Sequence, residues 1–253
     1  MNLFRVRGIQ ISVHASFLLL FAYVAWEGWS AAAWVGAAWL TGSVLAVFVC
    51  VTLHELGHVA AARYFGVRVP RILLLPIGGM AEMESIPRRP REEIIIALAG
   101  PAVNYVIIGI LMIFVRFPEG WSPFYLELSV AGLGRYLVVA NVIMGVFNLL
   151  PAFPMDGGRV LRALLAMRMT YVGATQVAAG VGKLVAIAGA GFLIYHGVYM
   201  GAALFAFIIF AGERERRAVM RAEQEAEHWL RVRARLSMPI QIKETDTKPP
   251  ALV

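Results

Sequence analysis

Between residues 11 and 212 the sequence is a succession of long apolar runs divided by short polar connections, with little of the apolar/polar periodicity of a soluble element. A helix rising about 1.5 Å per residue needs roughly 20 apolar residues to cross hydrocarbon about 30 Å thick. On that criterion the pattern predicts spans near 11–26, 34–62, 93–115, 129–150, 173–195 and 198–212. The first and last are short, and the second is long enough to require tilt or an end outside the lipid. The predicted fold is an all-α polytopic membrane protein with about six transmembrane helices. Its first apolar run follows Arg5 and Arg7 and precedes "WSAAA", the outline of a signal peptide. Because five further apolar segments follow, it reads as an uncleaved first helix.

Two connections break the pattern. "RILLLPIGGMAEME", Arg71 to Glu84, is apolar, but Pro76, Gly78 and Gly79 interrupt it and it is too short to span. Strand-like pieces meeting at a Gly-Gly turn suit it, so a short membrane-associated β-strand or re-entrant region is expected near 71–84. Such backbone survives at membrane depth only where protein or a wet cavity satisfies it. In "NLLPAFPMDGGRV", Pro151 and Pro154 end the fourth span. From Glu213 to Arg235 acidic and basic residues alternate, leaving Val219, Ala222, Ala226, Trp229 and Leu230 for one face of a solvated or surface-lying helix. The ending "KETDTKPPALV" reads as disordered. The expected organisation is a membrane domain over 1–212 and a cytoplasmic charged tail over 213–253, with no internal repeat and no second globular domain.

Composition agrees with this reading: of 253 residues 60% are hydrophobic and 15% charged, and a mean hydropathy of +0.71 lies outside the soluble range. The formal charge of +7 would suit nucleic acid if it lay on one polar surface. Here the basic residues cluster between apolar runs, so they are topology signals and no nucleic-acid partner is expected. Arg5, Arg7, Arg63, Arg68, Arg71, Arg88, Arg89, Arg91, Arg159, Arg162 and Arg168 fall on one side, and Arg116 and Arg135 on the other. That bias places both termini in the cytoplasm of a multi-pass protein of the cell membrane. Lys183 lies near the cytoplasmic end of the fifth span and can snorkel. Cys50 is the only cysteine, which excludes an intrachain disulfide.

The second span ends in "VTLHELGHVA". Residues four apart on a helix share a face, so His54 and His58 can aim imidazole nitrogens at one metal ion. Glu55 stands beside them, free to accept a proton from water that the metal activates. Two histidines and a glutamate cost several kcal/mol to hold in lipid and normally face a bundle interior or wet cavity. A catalytic zinc takes three protein ligands and keeps a position open, so a third must come from elsewhere. Asp156 in "FPMDGGR" lies at the cytoplasmic end of the fourth span, level with His58, on the order of 10 Å inside the boundary. Taken alone, Asp156 reads better as the cap of a helix beginning near Val160, with Gly157 and Gly158 permitting the turn.

"HELGH" at 54–58, "LAGPAVN" at 98–104 and "NLLPAFPMDGG" at 148–158 together resemble the site-2 proteases, the zinc-dependent intramembrane proteases. The resemblance covers most of residues 8–215, including "VHASF" at 13–17 and "LPIGGMAEM" at 75–83, which is similar to the family's membrane-associated strand region. It implies a six-helix core binding one Zn2+ through His54, His58 and Asp156, with Glu55 as general base. It implies cleavage of a transmembrane protein or peptide near the cytoplasmic face of the bilayer. An anti-sigma factor, a pro-sigma factor and a signal-peptide remnant are the substrate types it suggests. A compact form is expected, without the PDZ insertion or the CBS pair of some members.

Asn104 and Asn148 match the family motifs and have the chemistry to donate to an oxyanion, although an Asn in such a place serves equally to satisfy helix ends or pair helices. A transmembrane helix hides its amide carbonyls and must be unwound before it is cut, so segment 71–84 is the expected edge for an extended substrate. His14 has no ligand-like spacing, and His196 lies on the side away from the metal. Two other readings stand beside this one. A protease trimming prenylated tails would draw its third ligand from a downstream Glu. A zinc transporter would use His and Asp along an ion path without needing Glu55 as base.

Overall fold

The computed structural model describes residues 2–6, 8–76, 78–83, 89–122 and 127–237. The disordered ending expected from the sequence, together with Arg7, Glu84 and Arg88, lies outside them. In chain order the elements are β1 (Asn2–Val6), β2 (Ile9–Val13), α1 (Ser16–Tyr64), β3 (Arg71–Leu75), β4 (Gly78–Glu82), α2 (Pro90–Phe114), α3 (Val130–Asn148), α4 (Asp156–Ala166), α5 (Tyr171–Tyr195) and α6 (Tyr199–Ser237).

The 49 residues of α1 are two helices joined at a sharp turn, because Ala32 (φ −152, ψ 39) and Ala33 (φ 48, ψ −140) leave the helical region. Phe17 and Phe48 would stand roughly 46 Å apart on a straight helix. Their ring centroids are 4.4 Å apart, so the arms 16–31 and 34–64 run antiparallel. Among the described residues, α1, α2, α3 and α5 are long and apolar enough to cross a membrane. Their outward faces carry Leu19, Trp34, Ile113, Phe114, Leu184 and Phe192, all exposed, whereas His54, Glu55, His58, Glu93, Asn104, Asn141, Asp156 and Arg162 are buried. Apolar outside and polar inside is the inverse of a soluble protein.

The strands form one sheet in the order β1-β2-β3-β4, with β2 and β3 parallel and the outer pairs antiparallel. The hairpin expected near 71–84 is β3 and β4, closed by the pair Leu75 and Gly78. The sheet is larger than the sequence reading allowed, and the predicted first span begins inside it. Residues 11–13, assigned above to a helix, belong to β2, and α1 starts only at Ser16. Ile9, Ile11, Ile72 and Leu74 pack with Val59, Ala62 and Ile96, which seats the sheet against the later arm of α1 and the start of α2.

Ser129 caps α3 by accepting from Gly132 N at 2.9 Å. Helix α4 begins at Asp156 itself, not near Val160. The compositional boundary at 212/213 falls inside α6, which continues unbroken into the charged stretch. There Glu213 pairs with Arg216 and Arg217, and Glu227 with Arg231, at helical spacing.

Candidate metal centre

His54, Glu55 and His58 lie on the later arm of α1, buried against α2. His58 Nδ1 faces the Ile96 carbonyl at 2.7 Å, and His54 Nδ1 faces Asn104 Oδ1 at 2.5 Å. Both partners lie on α2. With the Nδ1 atoms engaged, both Nε2 atoms turn to one point, 3.1 Å apart. Gly100 leaves room for them, since a Cβ there would lie 2.3 Å from His58 Nε2 and 2.7 Å from His54 Nε2. This is the physical content of "LAGP" in α2: only a glycine fits beneath the two rings.

Asp156 reaches the same point from α4. Its Oδ2 lies 3.2 Å from His58 Nε2 and 3.4 Å from His54 Nε2. The "DGG" that follows is required by close approach, for a Cβ at Gly157 would lie 2.2 Å from the Leu149 carbonyl. The glycine lets α4 start directly beneath the loop leaving α3. Asp156 Oδ2 is buried and has no hydrogen-bond partner among the described residues. Contact with the histidines does not satisfy it if their protons sit on Nδ1. A buried carboxylate oxygen without a donor costs free energy unless a cation meets it.

Donor separation supplies a second test. Tetrahedral ligands at about 2.0–2.1 Å from zinc stand about 3.3 Å from one another, and the separations here run from 3.1 to 3.4 Å. His54, His58 and Asp156 therefore fit a zinc ion, and they are the group of ligand-type residues that the fold gathers among the described residues. Glu55 points instead toward the sheet: its Oε2 accepts from Ala81 N of β4 at 3.1 Å.

Comparison with known proteins gives the family. The profile of Peptidase family M50 matches residues 42–125 and 124–194. The chain belongs to that family. A zinc metalloprotease of Methanocaldococcus jannaschii is 36% identical over 227 residues, covering 86% of this chain and 61% of the relative. Stage IV sporulation protein FB of Bacillus subtilis is 34% identical over 144 residues, 54% of this chain and 47% of that protein. A solved structure, the site-2 protease from Methanocaldococcus jannaschii, superposes with a TM-score of 0.62 at 36% identity, over 85% of this chain and 94% of that one. The chain thus spans about 60% of the length of the first of these curated relatives. The family match encloses His54, Glu55, His58, Asn104, Asn148 and Asp156, and membership of a zinc metalloprotease family makes zinc the metal that this donor set suits. The apolar outer faces and the family together make this a membrane protein.

The two asparagines singled out from sequence have different surroundings. Asn104 is fully buried, its amide shared between His54 and Asn141 Oδ1, the latter at 2.9 Å. It stands behind a histidine and does not face open space. Asn148 ends α3 and donates to Met144 O of its own helix at 3.0 Å. Sequence reading passed over Asn141, although a polar residue inside "VVANVIM" was a signal that α3 turns that face inward. Cys50 is buried packing. His14 bonds Ser16 Oγ at 2.8 Å beside the start of α1, and His196 closes α5 against Phe192.

Proposed function

We propose that this chain is a zinc-dependent endopeptidase that cuts membrane-spanning protein or peptide substrates near the cytoplasmic face. The observation that carries the reading is the convergence of His54 Nε2, His58 Nε2 and Asp156 Oδ2 within 3.4 Å, with Oδ2 lacking a donor. These three residues would hold the metal. Bound there, zinc polarises a peptide carbonyl and makes water a stronger nucleophile near neutral pH. Glu55, next to the first histidine, accepts the proton released as water attacks and returns it to the leaving amine.

β4 is the end strand of its sheet, and the contact from Ala81 N to Glu55 turns its free side toward the base. An extended substrate segment pairing with that side would present its backbone to Glu55, which gives the unwinding of a substrate helix a place to occur. With Asn104 committed behind His54, the oxyanion donor is Asn148. The arms of α1, then α2, α3, α5 and the apolar start of α6 make six crossings, with both termini in the cytoplasm and the charged end of α6 beyond the lipid.

Glu55→Gln in the full chain tests the reading, using a reporter transmembrane helix and zinc analysis. Zinc content should stay at one per chain while cleavage falls about 10²–10⁴-fold, the usual contribution of a general base. Undiminished cleavage sinks the assignment of Glu55. Zinc flux across vesicles with no cut substrate would replace the protease by a transporter.

A further inference from the structure

Asn141 on α3 has no part in the mechanism above, yet it is as fully buried as Asn104. The bonds that join it to the centre run in only one direction. The Leu137 carbonyl can accept and cannot donate, so Asn141 turns Nδ2 toward it, at 2.8 Å. Its Oδ1 is then left for Asn104, which must present its own Nδ2, at 2.9 Å. That leaves Asn104 Oδ1 as the atom facing His54 Nδ1. An acceptor in that place calls for a proton on Nδ1 and leaves Nε2 with its lone pair. A carboxamide has nearly the same shape when turned by half a revolution, so without Asn141 either end of Asn104 could meet the ring.

We propose that Asn141 is a positioning residue of the metal centre: by fixing which end of the Asn104 amide faces His54, it holds His54 in the tautomer whose Nε2 is free for zinc. The inference rests on reading His54 as a zinc ligand. His58 needs no such relay, because the Ile96 carbonyl that meets its Nδ1 is itself an unambiguous acceptor. The two ligands are thus oriented by different means, one by backbone and the other by a chain of two amides anchored on backbone. Partners of this kind fix both the ring orientation and the basicity of a ligating histidine.

Full-length protein in detergent, stripped of zinc and labelled with 15N-histidine, tests this directly. In the wild type His54 should carry its proton on Nδ1. Asn141→Leu, which removes both bonds at similar volume, should give a mixture of tautomers at His54. Its zinc affinity, measured by competition with a chelator, should fall about 10-fold or more. Adding Asn104→Asp to that variant should recover most of the affinity, because a carboxylate offers the ring only acceptors whichever way it turns. A packing role for Asn141 would not be rescued in this way. The proposal is overturned by a wild-type His54 protonated on Nε2, by wild-type zinc affinity in Asn141→Leu, or by a double variant as weak as the single. If Asn141→Leu does not fold, the wild-type spectrum decides alone. Failure of the ligand assignment looks different: a wild-type chain that takes up no zinc, or a His54→Ala variant that keeps it.

Discussion

Two groups of ionisable side chains are buried close together in this chain, and helix α4 contributes to both. Six residues beyond Asp156, Arg162 is fully buried; its Nε and Nη2 donate to Glu93 Oε1 at 2.9 and 2.5 Å and its Nη1 to Glu215 Oε1 at 2.8 Å. The rings of Phe153 and Tyr171 lie 5.0 and 4.9 Å from its guanidinium carbon. There one guanidinium is shared by two carboxylates and all of its nitrogens aim at acceptors, although Glu93 Oε2, like Asp156 Oδ2, is buried without a hydrogen-bond partner among the described residues. In the His54, His58 and Asp156 group, with the imidazole protons on Nδ1, three acceptor atoms meet and Asp156 Oδ2 has no donor. Burial alone therefore does not mark a functional site. What separates the two is whether the protein itself supplies a permanent cation: Arg162 meets Glu93 and Glu215 and ties α2, α4 and α6 together, whereas Asp156 Oδ2 meets only two imidazole nitrogens in the geometry of a metal site.

Stability measurements can break this contrast. Arg162→Met leaves Glu93 buried without its partner and should cost about 3–5 kcal/mol, equally with and without zinc. Adding Glu93→Leu should recover much of that loss, since replacing both charges by apolar groups is often near neutral. Thermal unfolding of the single and double variants in detergent reads both. A zinc-dependent loss would show that the Arg162 group belongs to the centre after all. Asp156→Ala should behave oppositely. Without zinc it removes an uncompensated buried oxygen and should not destabilise; what disappears is the stabilisation conferred by zinc, roughly 2.7 kcal/mol at a hundred times the wild-type Kd. Gly100→Ala comes next, at about 1–3 kcal/mol of overpacking. Because its Cβ would press on both Nε2 atoms, zinc affinity should drop with stability, and an unchanged affinity would mean that the rings move aside at no cost.

Much of this was legible in sequence where chemistry and period coincide. The i, i+4 histidines with Glu55 between them specify a face, and Pro151 and Pro154 mark the break after the fourth span from which Asp156 enters as a third ligand. The apolar runs located α2, α3 and α5 to within a few residues, because span length is set by the bilayer. Other parts were hidden for physical reasons. "IQISV" in β2 alternates apolar and polar positions, a strand signal masked by the apolar run that follows it. A change of composition at 212/213 does not end α6, because Glu–Arg pairs one turn apart support the helix as well as lipid does. Asn141 and Gly100 acquire their roles only from what α1 and α2 bring against them, which no local pattern encodes.

The smallest expected effect separates the two carboxylates that share Arg162. Glu215 reaches the guanidinium from α6 with its side chain 32% exposed, against 1% for Glu93. Glu215→Gln keeps an acceptor oxygen at the same reach, so the bond to Nη1 can persist and only a solvent-screened attraction is lost. The cost should be about 0.2–1 kcal/mol by thermal unfolding. It should shrink further as salt rises, since the screening length falls from about 30 Å at 0.01 M to about 3 Å at 1 M. Glu93→Gln should cost distinctly more and respond little to salt, because water does not reach that pair. Equal losses from the two variants, or equal salt dependence, would mean that α6 seals Glu215 from solvent. The charged end of α6 would then be as much a part of the buried frame around α4 as α2 is.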